Sequence, residues 1–161
     1  MEVLNPFYIL IEKVNRANNI IFYIGVNFIL MANTSKDYFE SLSKEILKIN
    51  SSLRWIAIAD SQGKILNIAR REGLDPLMNR EENQEYALNA IARHKSRLKF
   101  EDKLGKLVYS LGKYEKLVRI VTPINDKYYV LLTIDVQEPH IDSIMREQII
   151  PKIRDNIRNF E

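Results

Sequence analysis

A chain of 161 residues that is 46% hydrophobic and 28% charged is large enough for one domain with its own buried core. Without cysteine it has no disulfide, no thiol nucleophile and no thiolate metal site. A net charge of +3 falls far short of the dense positive field of a dedicated DNA-binding domain, and five glycines and five prolines leave no low-complexity linker.

The first stretch with a pattern is apolar. Residues 19–32, NIIFYIGVNFILMA, carry no charge, and none occurs between Arg16 and Lys36. A membrane-spanning helix takes about 20 mainly apolar residues, and this run is shorter and contains Gly25 and Asn27. With Lys13 and Arg16 ahead of it, it looks more like a signal-peptide core, although Ala32-Asn33 makes a poor cleavage site. We expect residues 1–34 to be an extension separate from a single domain at 35–161. Three readings fit: an over-extended reading frame ahead of a native Met31, a segment associated with a membrane through residues 7–32, or a packed helix. Outside the membrane reading, the chain is expected in the cytoplasm.

An amphipathic helix follows, opened by Thr34 and Asp37, with Phe39, Leu42, Ile46 and Ile49 at helical spacing. Residues 54–60, RWIAIAD, form a nearly continuous apolar strand. Asp60-Ser61-Gln62-Gly63 supplies turn chemistry, with the glycine at positive φ, and a second strand runs from Ile65 to about Ala69. Gly73 and Pro76 mark a loop in which Leu74 and Leu77 are expected to tuck inward. A helix over 81–100 has acids at its start and bases at its end, which suits its dipole, with Ala87, Ala90, Ile91, His94 and Leu98 on one face. Phe100–Gly105 ends it, with Leu104 packing and Gly105 in a glycine-only conformation. Residues 106–135 read as three antiparallel strands. The first, 107–111, is broken by Gly112-Lys113; the second runs from 117 to 122; the third is the unbroken run from 128 to 135. A final helix from Glu138-Pro139 carries Ile141, Ile144, Met145, Ile149, Ile153, Ile157 and Phe160, and Pro151 should kink or divide it.

The order α-β-β-α-β-β-β-α predicts an α+β fold: a five-stranded antiparallel sheet with helices packed on its faces. The runs at 54–60 and 128–135 lack clean alternation and should form the central pair. This order resembles the roadblock domains of the profilin-like class, a likeness that implies dimerisation through the middle helix and an edge strand. It is also similar to PAS and Cache sensor domains. A closer resemblance rests on Gly63-Lys64-Ile65-Leu66, Arg71-Glu72-Gly73-Leu74-Asp75-Pro76-Leu77, Arg97, Phe100-Glu101-Asp102-Lys103-Leu104-Gly105 and Tyr109. Over roughly residues 37–136 this combination resembles a family of small archaeal proteins of unassigned function, which implies no catalytic residues.

The residues exclude chemistries more firmly than they name one. His94 and His140 form no metal-spaced pair, and His94 on an apolar face reads as a core residue. The glycines are isolated turn glycines, so no phosphate loop or dinucleotide motif is present. We expect no catalytic residue, no metal and no cofactor. From Arg93 to Arg119, nine basic side chains face three acidic ones, a net +6. Arg93, Arg97, Lys99, Lys103 and Lys106 are therefore candidates for contact with an anion or a partner. With no aromatic platform apparent, nucleic acid is not the expected partner. The leading expectation is a non-enzymatic interaction or regulatory module, homodimerising through the 81–100 helix and the 107–111 edge strand. The alternative is a PAS- or Cache-like small-molecule sensor with Trp55, Tyr109, Arg119 and Tyr128 lining its pocket.

Overall fold

The two runs without clean alternation lie side by side at the middle of the sheet. The computed structural model describes residues 36–156. In chain order these form α1 (36–47), β1 (Leu53–Asp60), β2 (Ile65–Arg70), α2 (Arg80–Leu98), the single turn α3 (Glu101–Leu104), β3 (Ser110–Lys113), β4 (Leu117–Pro123) and β5 (Tyr128–Asp135). A C-terminal helical segment follows: α4 (Ile141–Ser143), a π-helical turn (Ile144–Ile149) and α5 (Ile150–Asp155). The sheet order is β2-β1-β5-β4-β3, antiparallel throughout, with Ala57 opposite Leu131 at its centre.

Because β1 and β5 are flanked by strands and covered on both faces, every position along them meets protein. That is why their inner runs, residues 55–59 and 128–132, are apolar without a break. Ile56, Ile58, Val118, Ile120, Val130, Leu132 and Ile134 face one layer, made by Phe39, Leu42 and Ile46 of α1 and by Met145, Ile149 and Ile153 of the C-terminal segment. Burying each such aliphatic side chain contributes about 1.5–3 kcal/mol. Trp55, Ala57, Ala59, Val121, Tyr129 and Leu131 face the other way, onto Ala87, Ala90 and Ile91 of α2.

Small residues let α2 sit close. At Gly63, φ is +85°, and a Cβ there would lie 2.5 Å from the Leu88 Cα, so both conformation and space require glycine. Gln84 fastens the same turn: its Nε2 donates to Gly63 O at 2.7 Å and its Oε1 accepts from Ile65 N at 3.0 Å. The other end of α2 is tied to this turn by Lys95 Nζ, which donates to Ser61 O. Asn79 and Glu82 close a reciprocal capping box at the start of α2.

Several expected boundaries move, each for a physical reason. β3 is Ser110–Lys113 and not 107–111, so Gly112-Lys113 belongs to the strand; Tyr114 N donates to Leu117 O across the actual turn. Carried further, the register would set Val108 opposite Pro123, which has no N–H for a ladder. Thr122 Oγ1 donates to Val108 O instead. The helix expected over 81–100 is Arg80–Leu98, followed by α3. Gly105 has the expected positive φ of +83°, but Leu104 does not pack and is 83% exposed. Leu77 is likewise exposed, whereas Leu74 is half-buried. The last helix begins at Ile141 and not at Glu138, and His140 sits at its N-cap without a side-chain capping bond. At Pro151 the helical course changes type, as expected of a division there: the π-helical turn ends at Ile149 and α5 begins at Ile150, with Pro151 in its first turn. The π-turn precedes it, with Ile150 N donating to Met145 O five residues back, which absorbs the missing N–H. Residues 1–34, Ile157 and Phe160 lie outside the described residues.

Candidate functional site

The layer between the sheet and α2 holds four of the seven buried polar or charged residues among the described ones: Asn83, His94, Arg119 and Thr133. Asn83, Ala87, Ala90, Ile91 and His94 form the sheet-facing stripe of α2, so two polar residues occupy an otherwise apolar face. Opposite them, β4 contributes Arg119, which is only 5% exposed. Its guanidinium lies 3.8 Å from the centre of the Tyr86 ring and 5.0 Å from that of Trp55, a cation–π sandwich. Arg119 Nη2 donates to Asn83 Oδ1 at 3.0 Å, and Nη1 has only the Met78 thioether, a weak acceptor. Burial lowers the affinity of Arg119 for its proton, while Tyr86 and Tyr114 partly offset this. Burial, followed by hydrogen bonding with Tyr114, pushes the Tyr86 phenol up to about 12.

Beside this sandwich is a cavity of about 60 Å³ between the sheet and the 74–78 loop. Trp55, Arg119, Asn83, Thr133, Arg54 and Arg70 line it, and Leu74, Asp75, Pro76, Leu77 and Met78 complete the loop side. Trp55 Nε1 and Arg119 Nε are both buried without a hydrogen-bond partner. Arg54 is committed to an ion pair with Asp135.

His94, fully buried, has Nδ1 2.8 Å from Ser110 Oγ and meets the Tyr129 ring edge-on at 5.6 Å. Burial, then the neighbouring Arg97 charge, holds its pKa below 6.5. The Ser110–His94 spacing is that of a nucleophile and its base. However, the imidazole has no route to solvent, and its Nε2 has no partner to orient it. Among the described residues no group of three or more His, Asp and Glu could hold a metal. None of their helices is long and apolar enough to cross a membrane.

The four pocket residues suggested by the sequence are divided between the two faces. Trp55 and Arg119 line the cavity, whereas Tyr109 and Tyr128 lie against the opposite, aliphatic layer. Tyr109 donates its hydroxyl to Asp142 Oδ1, and burial followed by that carboxylate raises its pKa to about 12. Tyr128 meets Phe39 edge-on at 5.4 Å. Arg93, Arg97, Lys99, Lys103 and Lys106 are all exposed and enter no ion pair among the described residues. Arg93 lies over Tyr86 and Lys99 over Phe100, at 5.9 and 5.1 Å from the ring centres. Sequence reasoning missed Asn83, Tyr86 and Tyr114. A signal existed for Asn83, a polar residue in register with the apolar stripe of 87, 90, 91 and 94.

A second feature lies at the β3 edge of the sheet. Phe100, Leu104, Val108, Leu111 and Tyr114 are exposed, and all fall between the end of α2 and the turn after β3. Leu77 and Leu88 complete the set of exposed large hydrophobics among the described residues.

No protein-family model matches the chain, and no curated protein does. Solved structures do. The gliding protein MglB of Thermus thermophilus is similar over 76% of this chain and 90% of its own, with TM-score 0.60 at 10% identity. MglB in a tetrameric arrangement is similar over 76% and 89%, with TM-score 0.61 at 12% identity. A roadblock/LC7 domain from Streptomyces avermitilis is similar over 73% and 95%, with TM-score 0.54 at 9% identity. At such identities the likeness is one of fold: residues 36–156 adopt the roadblock/LC7 architecture.

Proposed function

We propose that the domain at 35–161 is a non-enzymatic protein-interaction module that pairs with a second copy of itself through β3 and the adjoining end of α2. The observation that carries this reading is a strand edge open among the described residues, with exposed apolar side chains on it and in the chain around it. Among the described residues β3 has a strand neighbour on one side only, β4, and Leu111 on it is 44% exposed. An edge with apolar side chains and free backbone groups is a template for strand addition. A two-fold pairing would cover both copies at once. The tetrameric arrangement of the similar MglB structure supports assembly as a use of this fold. Arg93, Arg97, Lys99, Lys103 and Lys106 would form a basic margin suited to a further, acidic partner chain.

Light scattering on the full chain tests the pairing. A dimer mass is expected, and Leu111→Asp should shift it towards the monomer by placing a charge in the apolar contact. A monomer mass at high protein concentration overturns the proposal.

A further inference from the structure

Arg119 carries its charge at every accessible pH, yet no carboxylate among the described residues pairs with it. An unpaired buried charge is far more costly than an unpaired neutral group. The two rings, an amide oxygen and a thioether disperse that charge without neutralising it. The cavity beside it is bounded by two residues with buried, unused donors, Trp55 Nε1–H and Arg119 Nε–H. Both donor atoms are closed to solvent, so an occupant reaches them only through a small turn of the two side chains. A neutral occupant would leave the Arg119 charge uncompensated, and an anion would not.

We propose that this cavity binds a small carboxylate, with its oxygens accepting from Arg119 and Trp55 and its short apolar chain lying against Leu74, Pro76 and Leu77. Size and charge select this class. The enclosed part of the cavity, about 60 Å³, is room for a few waters, or for a carboxyl group and very few carbons. A nucleotide or sugar phosphate would extend out of it into solvent. Arg70 joins Arg119 on the lining against a single acid, Asp75, so an anion is favoured and an amine is not. This site does not depend on self-pairing, because its lining includes no residue of β3.

The chain has one tryptophan, so the indole N–H gives one proton–nitrogen resonance that reports on the site directly. Titrating the full chain with propionate should move that resonance saturably, and propionamide, the neutral isostere, should leave it in place. Propionate should also raise the melting temperature. The affinity derived from that rise should fall at least about tenfold in Trp55→Phe, as expected for loss of one charge-assisted hydrogen bond, and vanish in Arg119→Met. If Arg119→Met fails to fold, Trp55→Phe and the wild-type titration decide. The proposal is overturned by the absence of a saturable indole shift with acetate or propionate, or by an equal response to propionamide. It is also overturned if inorganic phosphate acts as strongly as propionate, or if the Trp55→Phe variant binds as tightly as the wild type.

Discussion

The two faces of this sheet are built from different materials. The face under α1 and the C-terminal helices is mainly Ile, Leu and Val with Phe39 and Met145, and its buried polar side chains are the small hydroxyls of Ser43 and Thr122. The face under α2 mixes alanines and aromatics with Arg119, Asn83, His94 and Thr133, all buried. Buried polar atoms without partners occur also on Ser43 of α1 and Asn67 of β2, but those of Trp55, His94 and Arg119, the last the charged group among them, lie here. Apolar packing is the most direct route to stability, so a face that departs from it is the place to look for a functional site. The aliphatic face accounts for the fold, and the other face, with the β3 edge beside it, is where the two proposals place function.

Substitutions can break this contrast. The largest effect should come from the aliphatic face: Leu132→Ala removes a fully buried side chain from the central strand and should cost roughly 2–5 kcal/mol in urea denaturation. Gly63→Ala strikes the docking of α2. The positive φ and the 2.5 Å approach of the Leu88 backbone should together cost about 2 kcal/mol by the same measurement. A smaller, pH-dependent effect belongs to His94. Its folded pKa lies below the ordinary histidine value of 6.5, so below that pH the unfolded chain gains a proton that the folded chain refuses. The stability that His94 contributes is therefore complete above 6.5 and is lost as pH falls towards the folded value, by at most about 1.4 kcal/mol per pH unit. Urea curves at about pH 7.5 and about pH 5.5, roughly one unit either side of the ordinary histidine value, should differ in the wild type and converge in His94→Phe.

What could be read from the residues followed their periodicity. WIAIA and YYVLL lack alternation because both faces of β1 and β5 are covered, and that alone places them at the centre. Asp60-Ser61-Gln62-Gly63 announces its turn because glycine suits the required conformation. Strand limits were harder to read: Gly112-Lys113 has turn composition but lies in β3, where the pairing partner decides and local preference does not. The site was half legible. Alternation along β4 assigns Arg119 a face without revealing that α2 covers it, so it counts among the surface bases yet is buried. Tyr109 and Tyr128 are drawn to the opposite layer by Asp142 and Phe39, contacts made across 33 residues in the first case and between separate elements in the second. Exposed Phe100 and Tyr114 could not be told from core aromatics by type alone.

The contrast between the faces is tested most directly by equilibrium denaturation of Arg119→Met in the absence of any added ligand. If Arg119 is held for binding, replacing it with an apolar side chain of similar length should leave stability unchanged or raise it by about 1–2 kcal/mol, as for other buried charges replaced by well-packed hydrophobes. A loss as large as that of Leu132→Ala would contradict the account, because the guanidinium would then be supporting the fold itself.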